Sequence, residues 1–245
     1  MDHATATLGR ADDRPATHEL VVDWLGRVAY REAWRRQKEL AGQRADGAIP
    51  DRLLLLEHPA VLTIGRHGDE RHVLASPADL ERRGIEVIRV ERGGEVTYHG
   101  PGQLVAYPIV RLADRGVLLR PFVRALEAAM IDTCASFGVT AGRREGEPGC
   151  WVDPDGAAPR KIGALGVRLE RGVSYHGIAL NVSTRLADFE LIDPCGMPGV
   201  VSTSISAELA RDGGDDQAPS VEVAAITFAE AFRARLDDAT RPGAG

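Results

Sequence analysis

Two residues of this chain stand out for the covalent chemistry they could do. The stretch from Ile192 to Gly199 reads Ile-Asp-Pro-Cys-Gly-Met-Pro-Gly. Proline lacks an N–H and glycine a Cβ, so this segment continues neither a helix nor a central strand, and Cys195 is expected on a tight turn. A thiol displayed there is a candidate nucleophile, against the competing reading of a small core hydrophobe. The second residue is Lys161. If residues 161–169 form a regular strand, Lys161 shares a face with Leu165, Val167 and Leu169. An apolar face penalises the ammonium form and makes a lysine usable as a base. Alternatively, Lys161 sits at the strand's mouth and reaches water. A free thiol is only a few per cent thiolate at neutral pH. A nearby lysine would favour the thiolate if charged, or take its proton if neutral, and Cys195 with Lys161 would form a dyad for acyl transfer. His99 and His176 stay open as alternative bases.

A third feature is the run Arg92-Gly93-Gly94-Glu95-Val96-Thr97-Tyr98-His99-Gly100-Pro101-Gly102. Glycines let backbone approach a ligand closely, though they equally serve turns. Gly163, Gly166 and Gly177 fall inside expected strands and suggest a slot shaped for a slender ligand. Other sites are set aside. There is no GxxxxGK[ST] loop and no GxSxG elbow, and Gly100-Pro101-Gly102 does not continue into a dinucleotide fingerprint. The histidines lack the i, i+4 spacing of a zinc helix and no CxxC occurs, so neither a metal nor a disulfide framework is expected.

The elements that would position these residues are legible in outline. A polar arm is expected over 1–17, a single catalytic domain over 18–238, and a loose tail over 239–245. Strands are expected at 18–23, 53–56, 60–65, 85–90, 103–110 and 150–152. Helices are expected at 26–42, 77–84, 121–137, 184–190 and 220–236. Ser76-Pro77 reads as a helix start, and Ser220 as a cap. Val123, Leu126, Met130, Cys134 and Phe137 fall on one helix face, so Cys134 reads as core. Val223, Ile226 and Phe232 are the expected apolar side of the last helix. Residues 161–169 and 173–182 form a hairpin around Glu170-Arg171-Gly172. The fold class is α/β (α+β): a mixed sheet with flanking helices.

The 245 residues, 44% hydrophobic, are enough for one sizeable core. A net charge of −6 disfavours nucleic acid as a partner. No signal-peptide h-region and no run of about 18 apolar residues occurs, so neither secretion nor a membrane partner is expected. Three widely spaced cysteines suit a reducing, cytoplasmic location.

Together, RGGEVTYHGPGQLVAYPIV, KIGALGVRLERGVSYHGIALNV, IDPCGMPGV and the earlier LEHPAVLTIGRHG resemble the octanoyltransferases of lipoate biosynthesis, from about residue 20 to 205. The resemblance implies a fold like the catalytic domain of biotin and lipoate protein ligases. It implies that Cys195 carries an acyl thioester, and that Lys161 activates this thiol. It assigns Arg92, Gly93, Gly94, Glu95, Val96, Thr97, Tyr98 and His99 to the acyl pocket, with Ala164, Leu165, Gly166, Gly177, Ile178 and Ala179. The implied donor is octanoyl-acyl carrier protein; the acceptors are lipoyl domains and the glycine-cleavage H protein. No cofactor and no metal is implied, and a monomer is expected. Arg31, Arg35 and Arg36, or Arg143, Arg144 and Arg160, are candidates for docking an acidic carrier. An ATP-dependent ligase of the same fold, a Cys-dependent acyl hydrolase and an inactive carrier-binding module are the alternatives.

Overall fold

The computed structural model describes residues 19–193, 199–211, 213 and 218–240. Among these, eight strands form one sheet and three form another. The main sheet runs β1 (Leu20–Arg27), β2 (Asp51–Glu57), β6 (Gln103–Ile109), β10 (Val173–Asn181), β9 (Arg160–Glu170), β8 (Glu147–Val152), β7 (Gly142–Arg144). The two-residue β11 (Val201–Ser202) lies beside β9. Pairs β1–β2 and β9–β11 are parallel, and the rest of this sheet is antiparallel. In the small sheet β3 (Val61–Ile64) pairs parallel with β4 (Glu86–Arg89) and antiparallel with β5 (Val96–His99).

The four leucines of β2 show how the main sheet is covered. Leu53 and Leu55 face α3 (Leu119–Ser136) and α5 (Val221–Ala239), while Leu54 and Leu56 face α1 (Tyr30–Ala45). All four are buried, as an apolar run without alternation requires. In α3, Leu126, Met130 and Cys134 are fully buried, in line with their helical spacing. Helix α2 (Pro77–Arg83) starts as its sequence prescribes. The Asp79 N–H donates to Ser76 Oγ at 3.2 Å, Pro77 opens the helix, and Gly84 ends it at φ +65°.

Several expectations need correction. Helix α1 begins at Tyr30, not at 26, because β1 continues to Arg27 past an irregularity after Trp24 with Gly26 at φ +64°. Segment 184–190 is a 3-10 turn, Leu186–Leu191. In α5 Ser220 does cap the helix, accepting the Val223 N–H, and Phe232 is buried, but Val223 and Ile226 are 48% and 57% exposed. The buried stripe is Val221, Ala224, Ala225, Phe228, Ala229, Phe232 and Leu236: alanines complete it, and Val223 and Ile226 fall off it. Helix α4 (Ile205–Arg211) and strands β7 and β11 were not expected, and residues 91–102, expected as a glycine-rich loop throughout, contain strand β5, whose pairing with β3 takes Val96–His99 out of the loop.

Asp51 ties the end of α1 to the sheet. Its carboxylate accepts from Arg44 Nε at 2.7 Å, Arg115 Nε at 2.6 Å and the Arg111 backbone N–H at 3.0 Å, and all three side chains of this cluster (Asp51, Arg44 and Arg115) are buried.

Candidate active site

Strands β8 and β9 are out of step by one residue. Cys150 sits across from Gly163, but Trp151 sits across from Lys161, so Ile162 is an extra residue in β9, a bulge. Cys150, Val152 and Ile162 all pack into the core beneath α3 and α5. Trp151 therefore points to the opposite face, and Lys161 goes with it. The Lys161 Nζ lies 4.9 Å from the Trp151 ring centroid, and the residue is buried. The regular-strand expectation is thereby corrected. Leu165 and Val167 pack toward the α3–α5 core, Leu169 is half exposed, and Lys161 does not share their face.

Of the predicted pocket residues, all but Gly93 and Tyr98 line one cleft: Arg92, Gly94, Glu95, Val96, Thr97, His99, Ala164, Leu165, Gly166, Gly177, Ile178 and Ala179. Gly93 instead fastens the loop to the sheet, donating its N–H to Val167 O at 3.3 Å. Tyr98 points into the small sheet's own core, where its hydroxyl donates to Asp188 at 2.9 Å. Arg92 frames the loop. Its guanidinium donates to Thr63 O at 2.8 Å, Glu95 O at 2.7 Å and Gly93 O at 2.9 Å.

The strand glycines have a different purpose from the one expected. A Cβ on Gly166 would lie 2.6 Å from Gly93 O, and one on Gly163 2.7 Å from Met130 Sδ. A Cβ on Gly177 would run into the Ala106 carbonyl. These positions are filled by protein, so the glycines permit close approach of neighbouring chain, and the cleft lies beside them.

The cleft is also walled by Tyr30, Tyr107 and His176. His99 Nδ1 bonds Gln103 Oε1 at 2.8 Å; the amide oxygen only accepts, so Nδ1 carries the hydrogen and Nε2 the lone pair. From Gln103 the bonds continue to Asn181 Oδ1 at 2.9 Å, from Asn181 to Thr203 O at 2.9 Å, and from the Thr203 N–H to Lys161 O at 2.9 Å. A continuous path thus joins the cleft wall to the strand that carries Lys161. Burial holds the His99 imidazole well below its ordinary range, and lowers His58 to about 4.

His176 is held in the left-handed region, at φ +55°. Strand alternation would send it toward α3 and α5 with Ile178 and Leu180. Instead its ring stacks on Tyr175, centroids 5.0 Å apart, and meets the Tyr107 ring edge-on at 6.3 Å. A non-glycine residue there costs on the order of 1–3 kcal/mol, so the surrounding structure enforces it. Its backbone N–H donates to Gln37 Oε1 at 2.8 Å. Neither ring nitrogen has a hydrogen-bond partner among the described residues, and burial lowers the imidazole to about 3. The sequence left His176 open only as an alternative base, and nothing in it marks Tyr30 or Tyr107 for the cleft; a left-handed histidine inside a strand has no local signature.

Residues 194–198, Cys195 among them, lie outside the described residues. The chain before them is tied to the small sheet's side, where the Asp193 N–H donates to His72 O at 2.8 Å and Ile192 bridges Val73. The chain after them returns in β11, with Ser202 in register with Lys161. Cys134 and Cys150 are both buried. Five of the arginines considered for docking a carrier are engaged in ion pairs: Arg31 with Glu86, Arg35 with Glu39, Arg143 with Glu127, Arg144 with Glu147 and Arg160 with Glu208.

Two sheets, a buried lysine on β9 and a cleft along the β9–β10 hairpin make up the candidate site, and comparison places the chain within a family of catalytic domains. Residues 29–232 match the lipoyl protein ligase A/B catalytic domain, and the chain belongs to that family. Among its relatives, an octanoyltransferase of Mycolicibacterium gilvum is 45% identical over 231 residues, 94% of this chain and 93% of that protein. An octanoyltransferase of Chloroflexus aurantiacus is 49% identical over 193 residues, 78% of this chain and 85% of that protein. Among solved structures, lipoate-protein ligase A bound with ATP superposes with a TM-score of 0.60 at 16% identity, covering 92% of this chain and 93% of that one. P. falciparum LipL1 in complex with lipoate gives 0.68 at 12% identity, over 90% of this chain and 63% of that one. The expected fold is thus the fold found. Among the described residues no helix is long and apolar enough to cross a membrane.

Proposed function

We propose that this chain is an octanoyltransferase of protein lipoylation. It takes an octanoyl group from the thioester of an acyl carrier protein and delivers it to a lysine of a lipoyl domain or of the glycine-cleavage H protein. In the first half-reaction the Cys195 thiolate attacks the thioester carbonyl. A new C–S bond forms, the bond to phosphopantetheine breaks, and that thiolate leaves with the proton that Lys161 took from the Cys195 thiol, so that Lys161 is neutral again. In the second, the acceptor lysine amine attacks the acyl-enzyme; an amide C–N bond forms, the Cys195 sulfur departs, and the amine's proton passes to Lys161. The thioester supplies the driving force, so the reaction runs without ATP. The enzyme works as a monomer in the cytoplasm, where a thiol nucleophile stays reduced.

One observation carries the dyad. The chain that leaves the Cys195 segment pairs directly with the strand of Lys161, Ser202 opposite it and Thr203 bonded to its carbonyl. The cleft of Arg92, Thr97, Ala164 and Ala179 runs along the same hairpin and supports the acyl-pocket assignment. The fold is shared with ATP-dependent ligases, which makes ATP the discriminating reagent. Purified protein incubated with octanoyl carrier protein and no ATP should gain one octanoyl mass on Cys195 and pass it to added lipoyl domain. Acylation that appears only with ATP and free octanoate would mean a ligase, and octanoate release indifferent to the lipoyl domain a hydrolase.

A further inference from the structure

Two residues of β8 lie against the Lys161 side chain. Gly149 and Trp151 flank Cys150, which packs into the core, and both meet the lysine on the other face. A Cβ at Gly149 would lie 3.0 Å from Lys161 Cε and 2.6 Å from Gly163 O. The backbone there has φ +142°, a conformation that favours glycine. The bare position leaves room for the methylene stem of the lysine, and the indole meets its tip, 4.9 Å from Nζ.

Both residues are fixed by their surroundings. The Gly149 N–H donates to Glu127 Oε1 of α3 at 3.1 Å, and Arg143 Nε donates to the other oxygen of that carboxylate at 3.0 Å. The indole Nε1–H donates to Glu147 O at 3.0 Å, and the Trp151 side chain is buried. The Arg144 guanidinium also lies over this ring, at 5.5 Å, with its charge met by Glu147 at 3.0 Å. An aromatic face attracts an ammonium far more than a neutral amine, and the attraction is stronger where water is excluded. The indole therefore acts most strongly on Lys161 when the amine has just taken up a proton.

We infer that Trp151 is a positioning residue for Lys161, with Gly149 making the room: the indole holds the amine in place and stabilises the ammonium that forms on it during the reaction. This rests on the octanoyl-transfer reading above, in which Lys161 takes a proton once in each half-reaction, from the Cys195 thiol and then from the acceptor amine. Loss of the aromatic face should therefore slow both halves by a similar factor. Damage to the acyl cleft would instead appear as weaker binding of the donor.

The test compares Trp151→Phe with Trp151→Leu, two apolar side chains of which only the first keeps an aromatic face. Acylation of Cys195 by saturating octanoyl carrier protein and transfer from the acyl-enzyme to saturating lipoyl domain are each measured in a single turnover, with circular dichroism to verify folding. The leucine variant should lose about tenfold in both rates with its KM for the carrier within about twofold of wild type, and the phenylalanine variant should stay within about threefold in both. Trp151→Met, also without an aromatic face, replaces the leucine variant if that one does not fold. A ring that only fills space predicts equal losses in the two variants. Equal losses, a loss confined to KM, or a folded leucine or methionine variant at the wild-type rate overturns the inference and leaves the functional reading standing. Gly149→Ala crowds Lys161 Cε and leaves the indole Nε1 at an ordinary 3.6 Å. It should lower the same two rates, and wild-type rates in it would overturn the part assigned to Gly149. A wild-type protein that forms no acyl-enzyme overturns the functional reading itself.

Discussion

The ammonium of Lys161 lies over the indole of Trp151, 4.9 Å from its centroid, because a bulge at Ile162 puts the two side chains on one face. An amine held there is shielded from water and oriented. Lys161→Arg keeps the charge but substitutes a guanidinium that does not give up its proton. We expect transfer to fall about 100-fold or more, within the range attributed to a positioned acid or base. Single-turnover formation of the acyl-enzyme, with circular dichroism to verify folding, is the measurement. An arginine variant working at the wild-type rate would rule out proton transfer by Lys161.

The Asp51 cluster is structural and far more sensitive than its surface counterparts. Asp51→Ala leaves the buried guanidinium groups of Arg44 and Arg115 without their shared carboxylate. The loss should be about 3–5 kcal/mol, against less than about 1 kcal/mol for removing the exposed Arg35–Glu39 pair. Urea unfolding of the two variants gives the comparison, and equal losses would contradict it.

Stability should fall in mild acid. Burial lowers His58 to about 4 and His176 to about 3, and holds His99 well down, from an ordinary value of 6.5. Between pH 6.5 and 4 the unfolded chain therefore binds protons that the folded chain does not, and unfolding free energy must rise with pH in that window. Above it these histidines are neutral in both states and contribute no slope. The maximum slope is about 1.4 kcal/mol per pH unit for each such histidine. Urea midpoints at pH 5, 6 and 7.5 measure it; a flat profile across the three would mean that the rings are not buried neutral.

Thiol chemistry should single out one cysteine of three. Cys134 and Cys150 are fully buried. The hydrogen bond between them, and then burial, pushes the Cys150 thiol well up. In the native protein a maleimide should label Cys195 alone, and in guanidinium all three. Cys134→Ala should cost about 1 kcal/mol of stability and leave acyl transfer intact. Rapid native labelling of Cys134 or Cys150 would refute this account of the core.

Much of the fold could be read because local chemistry agrees with tertiary placement. Ser76, Pro77 and Gly84 bound a helix by their own stereochemistry, and the leucines of β2 declare a strand buried on both sides. The cleft was legible as a set of segments, since its glycines and its loop are contiguous in sequence. Which way its polar residues point was not. Parity along β9 changes at Ile162, a residue type with no mark of irregularity, and parity along β10 changes at His176, where the backbone takes a form rare for histidine. Tyr98 resembles its cleft-lining neighbours in sequence, yet its ring packs in the small sheet's core and its hydroxyl reaches Asp188. Val223 and Ile226 misled because apolar character was weighed without the alanines that fill the buried stripe.

The bulge also bears on how β9 can change length. Ile162 is the residue that the ladder has in excess: without it, Gly163 would still face Cys150 and Lys161 would still face Trp151. A deletion there would cost one core side chain and leave both faces of the strand assigned as they are. In this chain the spacing between the lysine and the glycine is thus decoupled from the direction the lysine points: the ladder absorbs the one residue between them and presents the same amine.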